Sequence, residues 1–266
     1  MQAPPAYFGR NFTKTLHNEP YEATNPSKVT LPDGYTVLIT GAGKGIGEYI
    51  AKAYAHAAAS NIIILARTAQ DLDKVKIGLE EIASKNGRKI KVMTVPSDVS
   101  KEGTFIDLKQ LIESQYDGRL DCLINNAGTI GSKQGFNNKF HETDAAEHAQ
   151  ILDLNYLSCV YSCKHLIPLI LQSPRKTIIN ITSMASHVTS NNPIAYGVSK
   201  LAVNRLTQHI GENYAEEGID CMALHPGAVM TPAAQHVPEF LQKSEFDLCQ
   251  SSSDTLLTTS SAQGRH

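Results

Sequence analysis

The chain has 266 residues, enough for one large α/β domain and too few for two. With 41% hydrophobic and 19% charged residues, it has the balance of a soluble domain that buries a core. A net charge of −2 and a pI near 6.5 exclude the basic field that nucleic acid or an anionic membrane would require.

Residues 1–33 are polar and punctuated by proline, and predict an arm laid over a domain that spans 34–241. The opening MQAPPAYFGRNFTKTLH lacks the apolar run of a signal peptide, and Lys164, His165 and Pro168 interrupt the longest apolar stretch, so the cytoplasm is the expected compartment. Without secretion, Asn11-Phe12-Thr13 and Asn180-Ile181-Thr182 are chance matches to the glycosylation pattern. The five cysteines are odd in number and form no C-x-x-C pair, which fits neither a disulfide framework nor a zinc site.

From Tyr35 onward, apolar runs alternate with helical patterns. Strands are predicted at Tyr35–Thr40, Asn61–Ala66, Lys89–Val95, Cys122–Asn125, Thr177–Thr182 and Asp220–His225. Helices are predicted at Gly45–Ala58, Gln70–Lys85, Glu102–Tyr116, Asp144–Cys163 and Ala195–Glu217. This alternation implies parallel strands joined by right-handed crossovers, hence an α/β fold with a doubly wound, Rossmann-like sheet of six strands. Ligands of such sheets bind beyond the carboxyl ends of the strands.

The first strand runs into Thr40-Gly41-Ala42-Gly43-Lys44-Gly45-Ile46-Gly47. Glycine permits a sharp turn with positive φ and lets backbone approach a pyrophosphate, while the following helix presents free N–H groups. Ile46 stands where G-x-G-x-x-G would need its last glycine, and no Lys-Ser/Thr pair follows, which argues against an ATP or GTP loop. At the end of the second strand, Leu65-Ala66-Arg67-Thr68 offers a guanidinium and no carboxylate before Asp71. Arg67, helped by Lys44, suits the 2′-phosphate of NADP, with NAD as the alternative. Tyr196 and Lys200, one helical turn apart, share a face of the last helix. A nearby ammonium favours phenolate and so would tune the tyrosine for proton transfer. Ser183, ending the fifth strand, can hydrogen-bond a substrate oxygen, with Thr182 as its rival.

Together, Thr40-Gly41-x-x-x-Gly45-x-Gly47, Asn125-Asn126-Ala127-Gly128 and Tyr196-x-x-x-Lys200 resemble the short-chain dehydrogenase/reductase family, and the likeness spans residues 35–232. The resemblance implies an NADP(H)-dependent oxidoreductase acting on a small-molecule carbonyl or alcohol, with Tyr196 as general acid/base. It selects Ser183 over Thr182 by its interval before the tyrosine. It places Lys200 on the nicotinamide ribose, Asn155 in a proton relay, Asp98 near the adenine, and Asn125 and Gly128 beside the ribose. Pro226, Gly227, Val229 and Thr231 would carry the nicotinamide. Family members also pair through helices matching 144–163 and 195–217, so a homodimer is one expectation.

Two features fall outside this reading. His141, Glu142, Glu147 and His148 lack H-E-x-x-H spacing and read as a solvated helix start, so no metal is expected. After Leu241 the chain turns rich in Ser and Thr, and residues 242–266 read as a disordered tail. The family's seventh strand is missing there, as after a retained intron, frameshift or alternative splice, which would expose the sixth strand and favour aggregation. A catalytically silent NADP-binding or interaction protein is therefore the second reading. The segments facing the substrate (130–140, 185–192 and 228–241) carry few charges, which favours neutral, apolar carbonyls and alcohols.

Overall fold

In the computed structural model, the residues described are 22–132, 139–189 and 192–227. Six parallel strands form one sheet: β1 (Thr36–Thr40), β2 (Asn61–Ala66), β3 (Lys91–Pro96), β4 (Cys122–Asn125), β5 (Thr177–Ile181) and β6 (Asp220–Leu224). Their spatial order is β3-β2-β1-β4-β5-β6. The sheet runs outward in both directions from β1 and β4, so the crevice at the carboxyl ends of these two strands is the topological switch point.

Side chains alternate across the strands, and each face has its own core. Val37, Ile39, Ile62, Ile64 and Ile124 pack with helices α1 (Gly45–His56) and α2 (Ala69–Lys85). Leu38, Ile63, Leu65, Leu123 and Ile178 pack on the opposite side with α3 (Glu102–Gln115) and α5 (Ser158–Gln172). Helix α4 (Ala145–Leu152) precedes α5, and α6 (Ile194–Asn213) precedes β6.

Three elements differ from the sequence expectations. The helix expected to end at Cys163 runs on to Gln172 through Pro168. Proline inside a helix costs about 3 kcal/mol. Burial of Leu166, Ile167, Leu169 and Ile170 at about 1.5–3 kcal/mol each outweighs that. The same helical segment contains a π turn at Asp153–Leu157, which separates α4 from α5. Helix α6 stops at Asn213, four residues before the expected Glu217, and the chain turns through Gly218 at φ +77° before β6.

Part of the expected arm joins the domain: Leu31 is buried in the α1 side of the core, and its N–H donates to the carbonyl of Ala57 at 2.9 Å. Among the described residues β6 pairs only with β5, and Ala223 is exposed. The tail, the expected gap at the seventh strand and residues 1–21 of the arm lie outside the described residues. No helix among the described residues is long and apolar enough to cross a membrane.

Candidate active site

The glycine turn closes the carboxyl end of β1. Gly41 has φ +68° and Gly45 φ +61°, a region that side chains with a Cβ rarely enter. Gly47 lies in the first turn of α1, where a Cβ would lie 2.5 Å from the carbonyl oxygen of Gly41 and 2.6 Å from Asn126 Nδ2. Thr40 ties this turn to the end of β4: its hydroxyl accepts the N–H groups of Asn126 and Ala127, each at 3.0 Å. Asn126 returns the tie, its amide donating to the carbonyls of Thr40 at 2.9 Å and Gly41 at 3.3 Å. Lys44, which precedes α1, provides no side-chain cap, so the positive helix end is free of internal acceptors from that residue. An uncapped helix N-terminus behind a tight glycine turn fits a dinucleotide pyrophosphate. Ile46 is half-buried against the α1 side of the core.

Arg67 and Lys44 are both exposed near the turn. Asp98 lies after β3, its carboxylate accepting the N–H of Ser100 at 3.0 Å. That bond, helped by the Ser100 hydroxyl, Lys101 and Arg67, holds the acid below the usual carboxylate range. Asp98 does not cap α3, whose N-cap is Lys101.

Asn125 and Asn126 point to opposite sides, as successive strand residues do. Asn125 turns inward, donating to Asn180 Oδ1 at 2.8 Å and accepting from Ser162 at 2.7 Å. Its amide is thus committed to the interior, where Asn180 in turn donates to Thr207 at 2.9 Å. Gly128 lies at the centre of the crevice, where an added Cβ would come within 3.0 Å of Asn155 Oδ1 and 3.5 Å of Lys200 Nζ.

The π turn carries Asn155 to this point. Its Oδ1 accepts the N–H of Thr129 at 2.8 Å, and its amide donates to the Thr129 carbonyl and to Ser199 Oγ, each at 2.9 Å. Ser199 donates onward to the carbonyl of Tyr196 at 2.7 Å. A second clamp on the same loop comes from Glu147, which accepts the N–H of Ser132 at 2.6 Å. By sequence spacing alone Glu147 reads only as part of a solvated helix start.

Lys200 is buried, with Nζ donating to the carbonyl of Ile181 at 2.8 Å. It lies 5.8 Å from the ring centroid of Tyr196. The Ser183 hydroxyl neighbours the phenol of Tyr196, close enough to act on its acidity. Thr182, the rival, turns the other way and donates to the backbone carbonyl of Lys200 at 3.3 Å.

The protonation of this pair differs from the expectation. Burial raises the phenol of Tyr196, the Ser183 hydroxyl beside it opposes the rise, and burial lowers Lys200. Helical spacing places the two groups on one face. The ammonium, however, is drawn to Ile181 and sits over the ring rather than at the hydroxyl. In cofactor-free protein, the tyrosinate absorbance that differs between wild type and Tyr196→Phe is therefore expected to develop above the ordinary tyrosine value near 10. A difference signal developing at neutral pH would show that the ammonium dominates.

Pro226 and Gly227 follow β6 at the same end of the sheet, Gly227 at φ +77°. Val229 and Thr231 lie outside the described residues.

A parallel sheet with a glycine turn at its switch point, and a Ser-Tyr-Lys group at the same carboxyl end, defines a nucleotide-binding oxidoreductase. A family model described as short chain dehydrogenase matches residues 35–242. The chain belongs to the short-chain dehydrogenase family. It is 48% identical over 234 residues to the short chain dehydrogenase pgmD of Aspergillus terreus, covering 86% of this chain and 75% of the relative. It is 32% identical over 257 residues to the short chain dehydrogenase mpl6 of Monascus purpureus, covering 97% and 85% of the two chains. Among solved structures it resembles NAD+-bound xylitol dehydrogenase (TM-score 0.66, 25% identity, 76% of this chain and 72% of that one). A short chain dehydrogenase of Shigella flexneri 2a in complex with NADP is also similar (TM-score 0.70, 25% identity, 82% and 87%). So is the L-sorbose reductase of Gluconobacter frateurii in complex with NADPH and L-sorbose (TM-score 0.68, 25% identity, 81% and 76%).

Proposed function

We propose that this enzyme is an NADP(H)-dependent oxidoreductase that interconverts a carbonyl compound and its alcohol, with Tyr196 as general acid/base. The observation that carries the proposal is the convergence of Gly128, Asn155 and buried Lys200, with the Ser183 hydroxyl beside the phenol of Tyr196. When bound, NADPH would supply the hydride. Gly41, Gly45, Ile46 and Gly47 would receive its pyrophosphate, and Lys200 and Gly128 would lie along the nicotinamide ribose. Pro226 and Gly227, with Val229 and Thr231, would hold the nicotinamide end. The Ser183 hydroxyl donates to the substrate oxygen and fixes it beside Tyr196. The phenol gives that oxygen its proton in reduction, and the phenolate takes the proton back in oxidation. A phenol raised by burial is protonated at neutral pH, the form that reduction needs. Asn155 holds Thr129 and Ser199, and through them the loop and helix on either side of a relay towards Lys200.

Solved relatives hold either cofactor, so the choice rests on charge near the adenosine ribose. Arg67 and Lys44 are exposed cations there, and Asp98 would take the adenine. One charge-assisted hydrogen bond contributes about 1.5–3 kcal/mol, or roughly 10- to 100-fold in affinity. Arg67→Asp is expected to weaken NADPH binding by that factor and leave NADH binding unchanged or tighter, measured by the change in the fluorescence of the reduced nicotinamide. Equal weakening of both cofactors would assign Arg67 no part in the discrimination.

The partner of the protein includes a second copy of itself. Val198 and Leu201 on α6 are 52% and 51% exposed and lie with Ile194 on one helix face, an apolar stripe suited to helix pairing. Leu201→Asp is expected to shift the mass measured by light scattering from dimer to monomer. A wild-type monomer would remove this proposal.

A further inference from the structure

We propose that Asn204 is a positioning residue that holds the hydroxyl of Ser183 against Tyr196, acting through Ser186. The inference rests on the proton-transfer reading of Ser183 and Tyr196.

Tyr196, Lys200 and Asn204 follow one another at intervals of four on α6, so all three lie on one face of the helix. Asn204 Nδ2 donates to Ser186 Oγ at 2.9 Å, and Ser186 Oγ donates to the carbonyl of Ser183 at 2.6 Å. Ser186 is buried. Ser183 caps the short turn Met184–Ser186, its Oγ accepting the N–H of Ala185 at 3.2 Å. Helix α6 presses directly on this turn, since a Cβ on Gly197 would lie 2.9 Å from the carbonyl oxygen of Ala185. Thr182, just before Ser183, is bonded to the Lys200 carbonyl at 3.3 Å. Ser183 is thus fastened on both sides to the helix that carries its catalytic partner. The other neighbour of the Asn204 amide, His187 Nε2, is farther away at 3.4 Å and lies on an exposed residue.

The fold alone does not explain an asparagine here. Asparagine is a weak helix former, and Asn204 Oδ1 is buried without a hydrogen-bond partner among the described residues. An apolar side chain would suit the helix better. What the asparagine adds is an N–H aimed at Ser186, which in turn uses its own proton on Ser183.

The test compares Asn204→Ala and Ser186→Ala, made on different elements, in wild-type and Ser183→Ala backgrounds. Rates are read as NADPH oxidation with the carbonyl compound that wild type reduces fastest among ketones, quinones and sterols. Misplacing a reacting group by an ångström costs up to about 100-fold. Each variant is expected to lower kcat about tenfold or more while leaving the Kd of NADPH unchanged. Neither should cost anything further once Ser183 is alanine, since the three residues then form one broken chain. A loss from Asn204→Ala that persists undiminished in the Ser183→Ala background overturns the inference, as does a wild-type rate for both single variants. A wild-type rate for Ser183→Ala, or no reduction of any compound by wild type, overturns the reading beneath it instead.

Discussion

Tyr196→Phe is expected to lower kcat for carbonyl reduction about a thousandfold and leave NADPH affinity within a few-fold of wild type. General acid catalysis by a positioned side chain contributes roughly 10²–10⁴-fold, and phenylalanine keeps the ring while deleting the only proton that Tyr196 can give. The ring is half-buried and the substitution keeps it, so little packing is lost. The glycine turn and Arg67 are untouched, which is why binding should survive. Steady-state kinetics with a parallel fluorescence titration check both halves. Full rate in the variant would remove Tyr196 from proton transfer.

Gly47→Ala acts on the other half of the site and is expected to abolish useful cofactor binding. The new methyl would sit 2.5 Å from a backbone oxygen and 2.9 Å from the Cα of Ala42, and backbone cannot yield as a flexible side chain does. Overpacking of this kind costs about 1–3 kcal/mol of stability. For a domain of this size that corresponds to a fall of about 2–10 °C in Tm. Relief of the clash must move Gly41, in the glycine turn, or Asn126, which ties the end of β4 to that turn. Loss of two phosphate contacts at about 1.5–3 kcal/mol each weakens NADPH by a hundredfold or more. Gly103→Ala is the control: it lies in α3 with open space around it and should leave binding and stability near wild type. Equal behaviour of the two variants would contradict the close packing described at Gly47.

Much of the fold can be read from apolar runs. Ile62–Leu65 reads as a strand buried on both faces, and it is one, with alternate residues feeding the two cores. The glycine turn was legible for the same reason: a strand, a cluster of glycines and a helix in sequence leave few other structures. Length was less legible. Pro168 marks a helix end by local rules, yet burial of the residues around it carries α5 to Gln172. The π turn at Asp153–Leu157 has no sequence signature, although it is what brings Asn155 to Thr129 and Ser199.

The candidate site was legible as residue types, and less so as directions. A spacing of four places Tyr196 and Lys200 on one face, but only the fold shows that the ammonium donates to Ile181 and leaves the phenol under the control of burial. Asn125 was singled out at the end of β4, whereas Asn126 beside it performs the visible task of tying β4 to the glycine turn. Strand alternation could have separated the two, since adjacent residues must face opposite sides. Glu147 and Asn204 carried no signal at all, because each acts on a loop distant from it in the chain.

Transfer of label from NADPH deuterated at the transferring carbon of nicotinamide tests the assignment most directly. With the neutral ketone or quinone turned over fastest, wild type is expected to yield an alcohol carrying one deuterium on the former carbonyl carbon, at a rate that Tyr196→Phe lowers about a thousandfold. Tight NADPH binding with no deuterium in any product across the panel would leave a protein that holds the dinucleotide without using it, and the catalytic reading would be wrong.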